Sequence, residues 1–367
     1  MNIQAAVTNA KEAPFEIQDL ELGELQKHEV LVKVAASGIC HTDLIIRDQW
    51  YPVPLPAVLG HEGAGVVESV GPAVTKVQPG DHVAMSYGSC GDCPTCAVGR
   101  PMNCHDFFGR NFGAVRPDGS TSLSRAGEPI HSHFFGQSSF ATHAVATERN
   151  VTKLDPDVPL DIVAPFGCGI QTGAGTVLNA FHPEAGTSIA VFGTGTVGLA
   201  AIMAARIAGC CTIVGIDVLP KRLELARELG ATHVVNAKEA DALEAVQEIT
   251  GGAGVDFSVE ATGSPQVLQQ AVYCTGPRGT CAIVGAPPFG TEVSLGMNEL
   301  LTLGRTVKGV VEGDSVPDVF LPRLIELWRQ GRFPVEQIMT HYDFHEIERA
   351  AHEAEAGEVV KPVLRIA

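Results

Sequence analysis

Four cysteines lie within fifteen residues of one another, in the pattern C-x2-C-x2-C-x7-C. Zinc takes four thiolates tetrahedrally in closed structural sites, and the glycines and proline between these cysteines permit a tight loop. Disulfide pairing is the alternative interpretation. A closed four-sulfur site leaves no position for a substrate, so it would only stabilise a lobe of the fold. The predicted ligands are Cys90, Cys93, Cys96 and Cys104.

A glycine-rich stretch provides a second chemical signal. Gly193, Gly195 and Gly198 form a G-x-G-x-x-G pattern between an apolar strand signal and an apolar helix signal, and Asp217 follows Gly198 by nineteen residues. Such glycines let the backbone approach a pyrophosphate at a helix N-terminus. A carboxylate at Asp217 suits the ribose hydroxyls of NAD and repels the 2′-phosphate of NADP, although Arg222 would permit some NADP use. The alternative is a glycine turn that only packs a helix against a strand.

Three further residues with soft ligand atoms have glycines beside them, namely Cys40, His61 and Cys168. Two thiolates and one imidazole leave one tetrahedral position of a zinc ion open, which distinguishes a catalytic site from a structural one. On spacing alone, these three residues could equally be packed core residues that bind no metal, because buried cysteines are common.

The elements that must position these residues change in type along the chain. Short β segments such as Val30–Ala36 and Gly63–Val70 predict a mostly β domain up to about residue 169, with 105–140 as a surface excursion. Strand and helix signals then alternate, which predicts an α/β doubly wound parallel sheet. Beyond about Arg305 the pattern loosens into amphipathic helices and a last strand at Val359–Ile366.

Composition limits the class of protein. A length of 367 residues, of which 45% are hydrophobic and 40 are glycines, predicts about two compact domains. The formal net charge of −17 argues against nucleic acid and anionic membrane as partners. Ten cysteines, with no signal-peptide pattern and no apolar run of membrane-spanning length, predict a cytoplasmic protein with reduced thiols.

Gly60-His61-Glu62 with Gly65, the cysteine quartet and the glycine motif occur in the same order as in zinc-dependent medium-chain alcohol dehydrogenases. The whole chain resembles this family, and most closely its benzyl or aryl alcohol branch. The resemblance implies a GroES-like, mostly β catalytic domain at 1–169 and 306–367, with a structural-zinc lobe at 88–105. It also implies a Rossmann NAD-binding domain at 170–305, a cleft where the domains meet, and one catalytic and one structural Zn²⁺ per subunit.

The resemblance implies roles around the catalytic zinc, for which Cys40, His61 and Cys168 are the ligands. Glu62 is the nearby acid that can visit the metal, Asp43 orients the ligand histidine, and Thr42 receives the proton of the alcohol. The activity implied is reversible NAD-linked oxidation of an alcohol to an aldehyde.

The same resemblance places His41, Thr172 and Lys361 at the cofactor, with the two basic residues near its pyrophosphate. The alternative for His41 and Lys361 is solvated surface charge. One position departs from the family pattern, because Ile45 stands where a proton-relay histidine is common. Isoleucine cannot transfer a proton, so we expect the proton of the alcohol to be released through water or His41.

The aromatic residues Trp50, Tyr51, Phe134 and Phe135 are candidate walls of a pocket for a flat ring, or alternatively packed core. We therefore expect a primary aromatic or allylic alcohol such as benzyl alcohol. A general aliphatic alcohol dehydrogenase is the first alternative, and a non-catalytic zinc-stabilised NAD-binding protein is the second. Glutathione-linked formaldehyde oxidation is disfavoured, since no basic anchor stands near Phe108. A homodimer or homotetramer is expected.

Overall fold

The computed structural model describes residues 1–366 and divides the chain into two compact units. The first unit comprises residues 1–168, 316–326 and 336 onward, and the second comprises 169–315 and 327–335. The sequence placed the second change of domain at residue 305, whereas this stretch of the second unit continues to Ser315. A strand at Thr306–Gly309 pairs with the sheet of the second unit, and this hydrogen bonding extends that unit to Ser315. No helix within 1–366 is long and apolar enough to cross a membrane.

The described residues form eighteen strands and twelve α-helices. The strands are β1 Asn2–Thr8, β2 Phe15–Leu22, β3 Glu29–Gly38, β4 Ala57–Val58, β5 Gly63–Val70, β6 His82–Met85, β7 Leu123–Arg125, β8 Glu128–Ile130, β9 His143–Thr147, β10 Val151–Leu154, β11 Ser188–Phe192, β12 Thr212–Asp217, β13 His233–Asn236, β14 Val255–Glu260, β15 Thr275–Ile283, β16 Thr306–Gly309, β17 Met339–Asp343 and β18 Lys361–Arg365. The α-helices are α1 His41–Arg47, α2 Pro94–Ala97, α3 Phe107–Phe112, α4 Leu160–Val163, α5 Gly169–Gly175, α6 Thr196–Ala208, α7 Pro220–Leu229, α8 Ala242–Ile249, α9 Pro265–Tyr273, α10 Met297–Leu303, α11 Pro317–Arg329 and α12 Ile347–Glu355. Shorter 3₁₀ segments occur at Pro101–Asn103, Phe134–Gly136, Ala164–Gly167, Glu312–Asp314, Val335–Ile338 and Phe344–Glu346, and a π segment occurs at Thr176–Phe181.

Two sheets build the first unit. One has the strand order β4-β1-β2-β7-β8, and the other has the order β10-β6-β5-β3-β18-β17 with β9 also paired to β3. Side chains along β3 alternate between two hydrophobic clusters. Val30, Val32 and Val34 pack with residues of β5, β6 and β9. Leu31 points to the larger cluster, which includes residues of β1. Because β18 pairs antiparallel with β3, the last strand returns to the N-terminal fold, as the sequence predicted.

One parallel sheet of order β13-β12-β11-β14-β15-β16 forms the centre of the second unit. This is the doubly wound order, in which strand order reverses beside the first strand and ligands bind at the carboxyl ends. The four apolar residues of β11, 189–192, are buried. Helix α6 follows and is capped by Gly209, whose φ of 88° favours a residue without a side chain. The predicted α/β fold class is confirmed.

Residues 105–140 are not the surface excursion that their glycines indicated. Phe112, Phe134 and Phe135 are 8%, 0% and 3% exposed and belong to the main core of the first unit. The glycines make turns between these aromatic anchors, and burial of the rings stabilises the segment against the sheets.

A buried ion pair ties this segment to β3. Arg116 donates from Nε and Nη2 to the two carboxylate oxygens of Glu29, over 2.7 and 2.8 Å. Its other N–H groups donate to the carbonyls of Thr121 and Glu24. The side chains are only 8% and 6% exposed, so each charge depends on the other for compensation.

The substitution Glu29→Gln should lower the free energy of unfolding by about 3 kcal/mol, because it leaves the Arg116 guanidinium buried without its counter-charge. Chemical denaturation monitored by fluorescence measures this loss. Glu12→Gln is the matched control, since Glu12 pairs with Lys11 at the surface with 67% of its side chain exposed. Equal midpoints for the two variants would show that the buried pair contributes nothing.

Candidate active site

The three predicted ligands of an open metal site come together in the first unit. Their ligand atoms, two Sγ and one imidazole nitrogen, lie within 4.8 Å of one another. Cys40 precedes α1, His61 precedes β5, and Cys168 follows the 3₁₀ turn Ala164–Gly167. Three separate turns of the chain thus converge at one point, and His61 is fully buried there.

The Asp43 carboxylate connects two of these ligand segments. Asp43 occupies the third position of α1, where its Oδ2 accepts a hydrogen bond from Cys40 N at 2.9 Å. Its Oδ1 accepts from Gly60 N at 3.1 Å and from His61 Nδ1 at 2.8 Å. The ring proton therefore sits on Nδ1, and Nε2 presents a lone pair towards the two cysteines.

Zinc fits this set of donors. Two thiols and an imidazole are the ligands that zinc prefers, and three protein ligands leave one of its tetrahedral positions open. The buried Nε2 of His61 has no hydrogen-bond partner among residues 1–366. A buried polar atom without a partner is costly, and a metal ion would satisfy it.

Lys361 is buried beside Glu62, which excludes the alternative of a solvated surface charge. Only 1% of the residue is exposed, and its ammonium donates to Glu62 Oε2 at 2.8 Å and to Ile39 O at 2.9 Å. Burial alone raises the pKa of Glu62 and lowers that of Lys361, but the Glu62 carboxylate reverses the second effect and raises the Lys361 pKa. The lysine therefore neutralises Glu62 because a buried ammonium requires a counter-charge.

The remaining predicted residues of α1 differ in exposure. Thr42 Oγ1 lies 3.7 Å from Cys40 Sγ, beside the ligand cluster. His41 is exposed, and the edge of its ring meets Trp50 at 6.2 Å between centroids. Ile45 is only 2% exposed, so an apolar side chain occupies the position of the missing relay.

The four aromatic pocket candidates separate into two groups. Trp50 is 44% exposed, and Tyr51 packs edge-on against Phe112. Phe134 and Phe135 are buried, and their rings contact each other and the His61 imidazole, so both lie beside the ligand cluster. Their positions follow from the aromatic cluster formed with Phe112.

The cysteine quartet also assembles as predicted, with four Sγ atoms within 4.8 Å of one another. Backbone N–H groups point at the sulfurs: Cys90 N donates to Cys104 Sγ and Cys93 N to Cys90 Sγ, both at 3.3 Å, and His105 N to Cys93 Sγ at 3.5 Å. Such bonds favour thiolates, which are the metal-binding form. No disulfide forms among the cysteines of residues 1–366, and the donor set fits a closed zinc site.

The glycine motif lies in the second unit, at the turn from β11 to α6. A side chain at Gly198 would place its Cβ 1.9 Å from Gly193 O, so this position tolerates only glycine. Asp217 Oδ2 accepts from the N–H and hydroxyl of Thr194 at 2.7 and 2.9 Å. Arg222 Nη1 lies 3.9 Å from where a Cβ of Gly195 would be, so the guanidinium flanks the same loop.

Two polar residues that contact predicted site residues or their neighbours, one in each unit, were not identified from the sequence. Glu312 accepts from Gln171 Nε2 at 3.0 Å and lies 3.5 Å from Thr172 Oγ1, which connects the predicted cofactor residue Thr172 to a distant turn. Gln137 hydrogen-bonds the backbone on both sides of Glu62. Neither residue belongs to a local motif, so no sequence signal marked them.

Comparison with known proteins identifies both units. Residues 26–156 match the model of the alcohol dehydrogenase GroES-like domain, and residues 196–328 match that of the zinc-binding dehydrogenase. The chain is 44% identical over 366 residues to geraniol dehydrogenase from Castellaniella defragrans, covering 99% of this chain and 98% of the relative.

Two solved structures cover the whole chain. Benzyl alcohol dehydrogenase from Acinetobacter calcoaceticus has a TM-score of 0.97 and 49% identity, with 100% of each chain covered. An alcohol dehydrogenase zinc-binding domain protein from Burkholderia ambifaria has a TM-score of 0.98 and 52% identity, covering 100% of this chain and 99% of its own.

The fold and the two sites define a zinc-binding oxidoreductase. The chain belongs to the zinc-dependent medium-chain alcohol dehydrogenase family, which confirms the resemblance inferred from its motifs. It is an alcohol dehydrogenase that uses zinc and a nicotinamide dinucleotide.

Metal content separates the two candidate zinc sites. The purified protein should contain two zinc ions per chain, and Cys104→Ser and Cys168→Ser should each contain one, because each variant loses one thiolate ligand. We expect Cys104→Ser to lower the thermal midpoint, whereas Cys168→Ser should abolish turnover and keep the fold. Atomic absorption and thermal unfolding measure both effects. If Cys104→Ser kept both its zinc and its stability, the assignment of the quartet would be wrong.

Proposed function

We propose that the protein catalyses the reversible NAD-linked oxidation of primary alcohols to aldehydes, with aromatic or allylic alcohols as substrates. The observation that carries this proposal is the buried cluster of Cys40, His61 and Cys168, whose three ligand atoms suit a zinc ion with one open position. A non-catalytic zinc protein would have no need for an open site of this kind.

Zinc at this cluster would supply a Lewis acid that lowers the pKa of an alcohol, and the dinucleotide would accept the hydride. The side chains of the protein do the rest. Asp43 holds the His61 ring with Nε2 directed at the cluster. We propose that Thr42, whose hydroxyl lies beside Cys40, relays the alcohol proton: its oxygen accepts that proton as its own hydroxyl proton passes to water or to His41.

The proposed choice of NAD over NADP is supported by Asp217. Its carboxylate is held by Thr194 through Oδ2 and by the N–H groups of Val218 and Leu219 through Oδ1. A carboxylate fixed in this way beside the glycine loop would repel a 2′-phosphate. Arg222 provides a nearby positive charge, so we expect weak residual use of NADP.

The proposed substrate class is supported by the relatives rather than by an observed pocket. Geraniol is an allylic alcohol and benzyl alcohol an aromatic one, and dehydrogenases named for these substrates are 44% and 49% identical to this chain. General aliphatic alcohols are the alternative, since a class-P alcohol dehydrogenase from Arabidopsis thaliana is 38% identical over 373 residues.

A homo-oligomer is proposed as the working form. Strand β16 lies at the edge of its sheet, and the neighbouring side chains of Met297 and Leu301 are 84% and 80% exposed. Exposed apolar groups beside an open strand edge are typical of a surface that a second copy covers.

Substrate preference tests the proposal directly. We expect kcat/KM for benzyl alcohol with NAD to exceed that for ethanol by about tenfold or more, because an apolar pocket gains binding energy from a ring. With benzyl alcohol, NAD should be preferred to NADP by about tenfold or more, owing to repulsion at Asp217. Steady-state kinetics with the four combinations measure both ratios. Faster turnover of ethanol would overturn the aromatic and allylic assignment.

Proton release can be examined at Ile45. Ile45→His should introduce a change in kcat with an apparent pKa below the ordinary imidazole value of about 6.5, because histidine adds a proton-transfer group at a buried position where its charged form is disfavoured. Ile45→Asn is the matched control, as it adds polarity without a titrating group. Identical pH profiles for Ile45→His and the unmodified protein would show that proton release does not limit turnover.

A further inference from the structure

An aromatic ring covers one face of the His61 imidazole. The Phe135 ring stacks on it with centroids 4.5 Å apart and planes 27° apart, and Phe134 meets it edge-on at 5.4 Å. The two phenylalanines are 3% and 0% exposed, so water does not reach the imidazole from this side. The stack restricts rotation of the ring out of the plane in which it meets Asp43 and the cysteines.

The main chain of His61 is held by the same loop. Gln137 donates from Nε2 to His61 O at 3.0 Å and to Ser86 O at 3.3 Å, and its Oε1 accepts from Gly63 N at 3.0 Å. Only 1% of Gln137 is exposed, so these bonds do not compete with water. One amide therefore fixes the backbone before and after Glu62.

The loop that carries these side chains has an unusual backbone. His133, Phe135 and Ser138 have φ values of 70°, 51° and 52°, in the left-handed region. Each such residue costs of order 1 kcal/mol or more and persists only where its surroundings enforce it. Ser138 Oγ holds the loop in this conformation, because it donates to Val58 O at 2.7 Å and accepts from Phe134 N at 2.9 Å. The strained turn is what brings the Phe135 ring over the imidazole.

We propose that Phe135 and Gln137 are positioning residues for the metal ligand His61. Asp43 sets the direction of the ring within its plane, Phe135 sets its tilt, and Gln137 sets the backbone from which it projects. This inference rests on the proposed zinc site at Cys40, His61 and Cys168. Loss of either residue should weaken retention of that zinc, as loss of groups that orient a ligand typically does by tenfold or more.

The competing explanation is that Phe135 only packs the hydrophobic core and does not orient His61. A substitution at Phe112 distinguishes these two explanations. Its ring packs against Phe134 and Phe135 at 6.0 and 5.2 Å, in the same cluster but one layer removed from the imidazole. Phe112→Met and Phe135→Met remove the same atoms from the same core. Methionine fills the volume without a flat face, so both variants should fold.

The experiment follows zinc release from the holoenzyme to a chromogenic chelator. The Cys168→Ser variant, which should retain only the zinc of the quartet, identifies the phase that belongs to the structural site. Phe135→Met should release the other zinc about tenfold faster or more, with an unchanged rate for the quartet, and Phe112→Met should match the unmodified protein. With cobalt(II) at the three-ligand site, the visible absorption bands should shift in Phe135→Met but not in Phe112→Met.

Gln137→Met provides a second test that leaves the aromatic cluster intact, and it should also accelerate release from the three-ligand site. The inference is overturned if both Phe135→Met and Gln137→Met release zinc at the normal rate with unshifted cobalt bands. It is equally overturned if Phe112→Met behaves as Phe135→Met does, since packing would then be the cause. If the unmodified protein holds only the zinc of the quartet, the proposed function itself is wrong, which is a distinguishable result.

Discussion

The geometry of the candidate active site depends on one buried carboxylate. Asp43 is fully buried and accepts hydrogen bonds from Cys40 N, Gly60 N and His61 Nδ1. A buried carboxylate is tolerable only if such donors surround it, so the start of α1 and the turn before β5 are forced together. The same bonds leave Nε2 of His61 facing the cysteines. The assembly of the candidate metal site is thus coupled to the hydrogen bonding of the Asp43 carboxylate, which is not itself a predicted ligand.

The surroundings of His61 include a buried ion pair and an aromatic ring. Glu62 and Lys361 neutralise each other with 0% and 1% exposure, which places a compensated ion pair next to the ligands. Phe135 covers one face of the imidazole with an apolar ring. Low polarity strengthens the electrostatic effect of a bound cation, and the ion pair adds little net charge to oppose it. The site is therefore arranged before any substrate is present.

In the second unit, a buried carboxylate also holds the glycine turn between β11 and α6. Asp217 holds the Thr194 backbone and hydroxyl, so the glycine turn is fixed by an acid that the fold itself satisfies. Close packing of Gly198 on the carbonyl of Gly193 excludes any side chain from the turn. The loop is consequently held in place where we propose that the backbone approaches a phosphate, and a preorganised binding loop loses less entropy on binding.

The amino-acid sequence by itself determined the features that depend on short spacing: the cysteine quartet, the glycine motif with Asp217, and most strands and helices of the second unit. These patterns are local, so residue type and separation are enough to reveal them. Only the tertiary structure decided that Lys361 pairs with Glu62, 299 residues away, and that the Phe135 ring stacks on the His61 imidazole. Burial is the reason in both cases, because a buried charge needs a counter-charge and a buried ring needs side chains packed against it. The groups that can meet these needs depend on which distant segments of the chain the fold brings together.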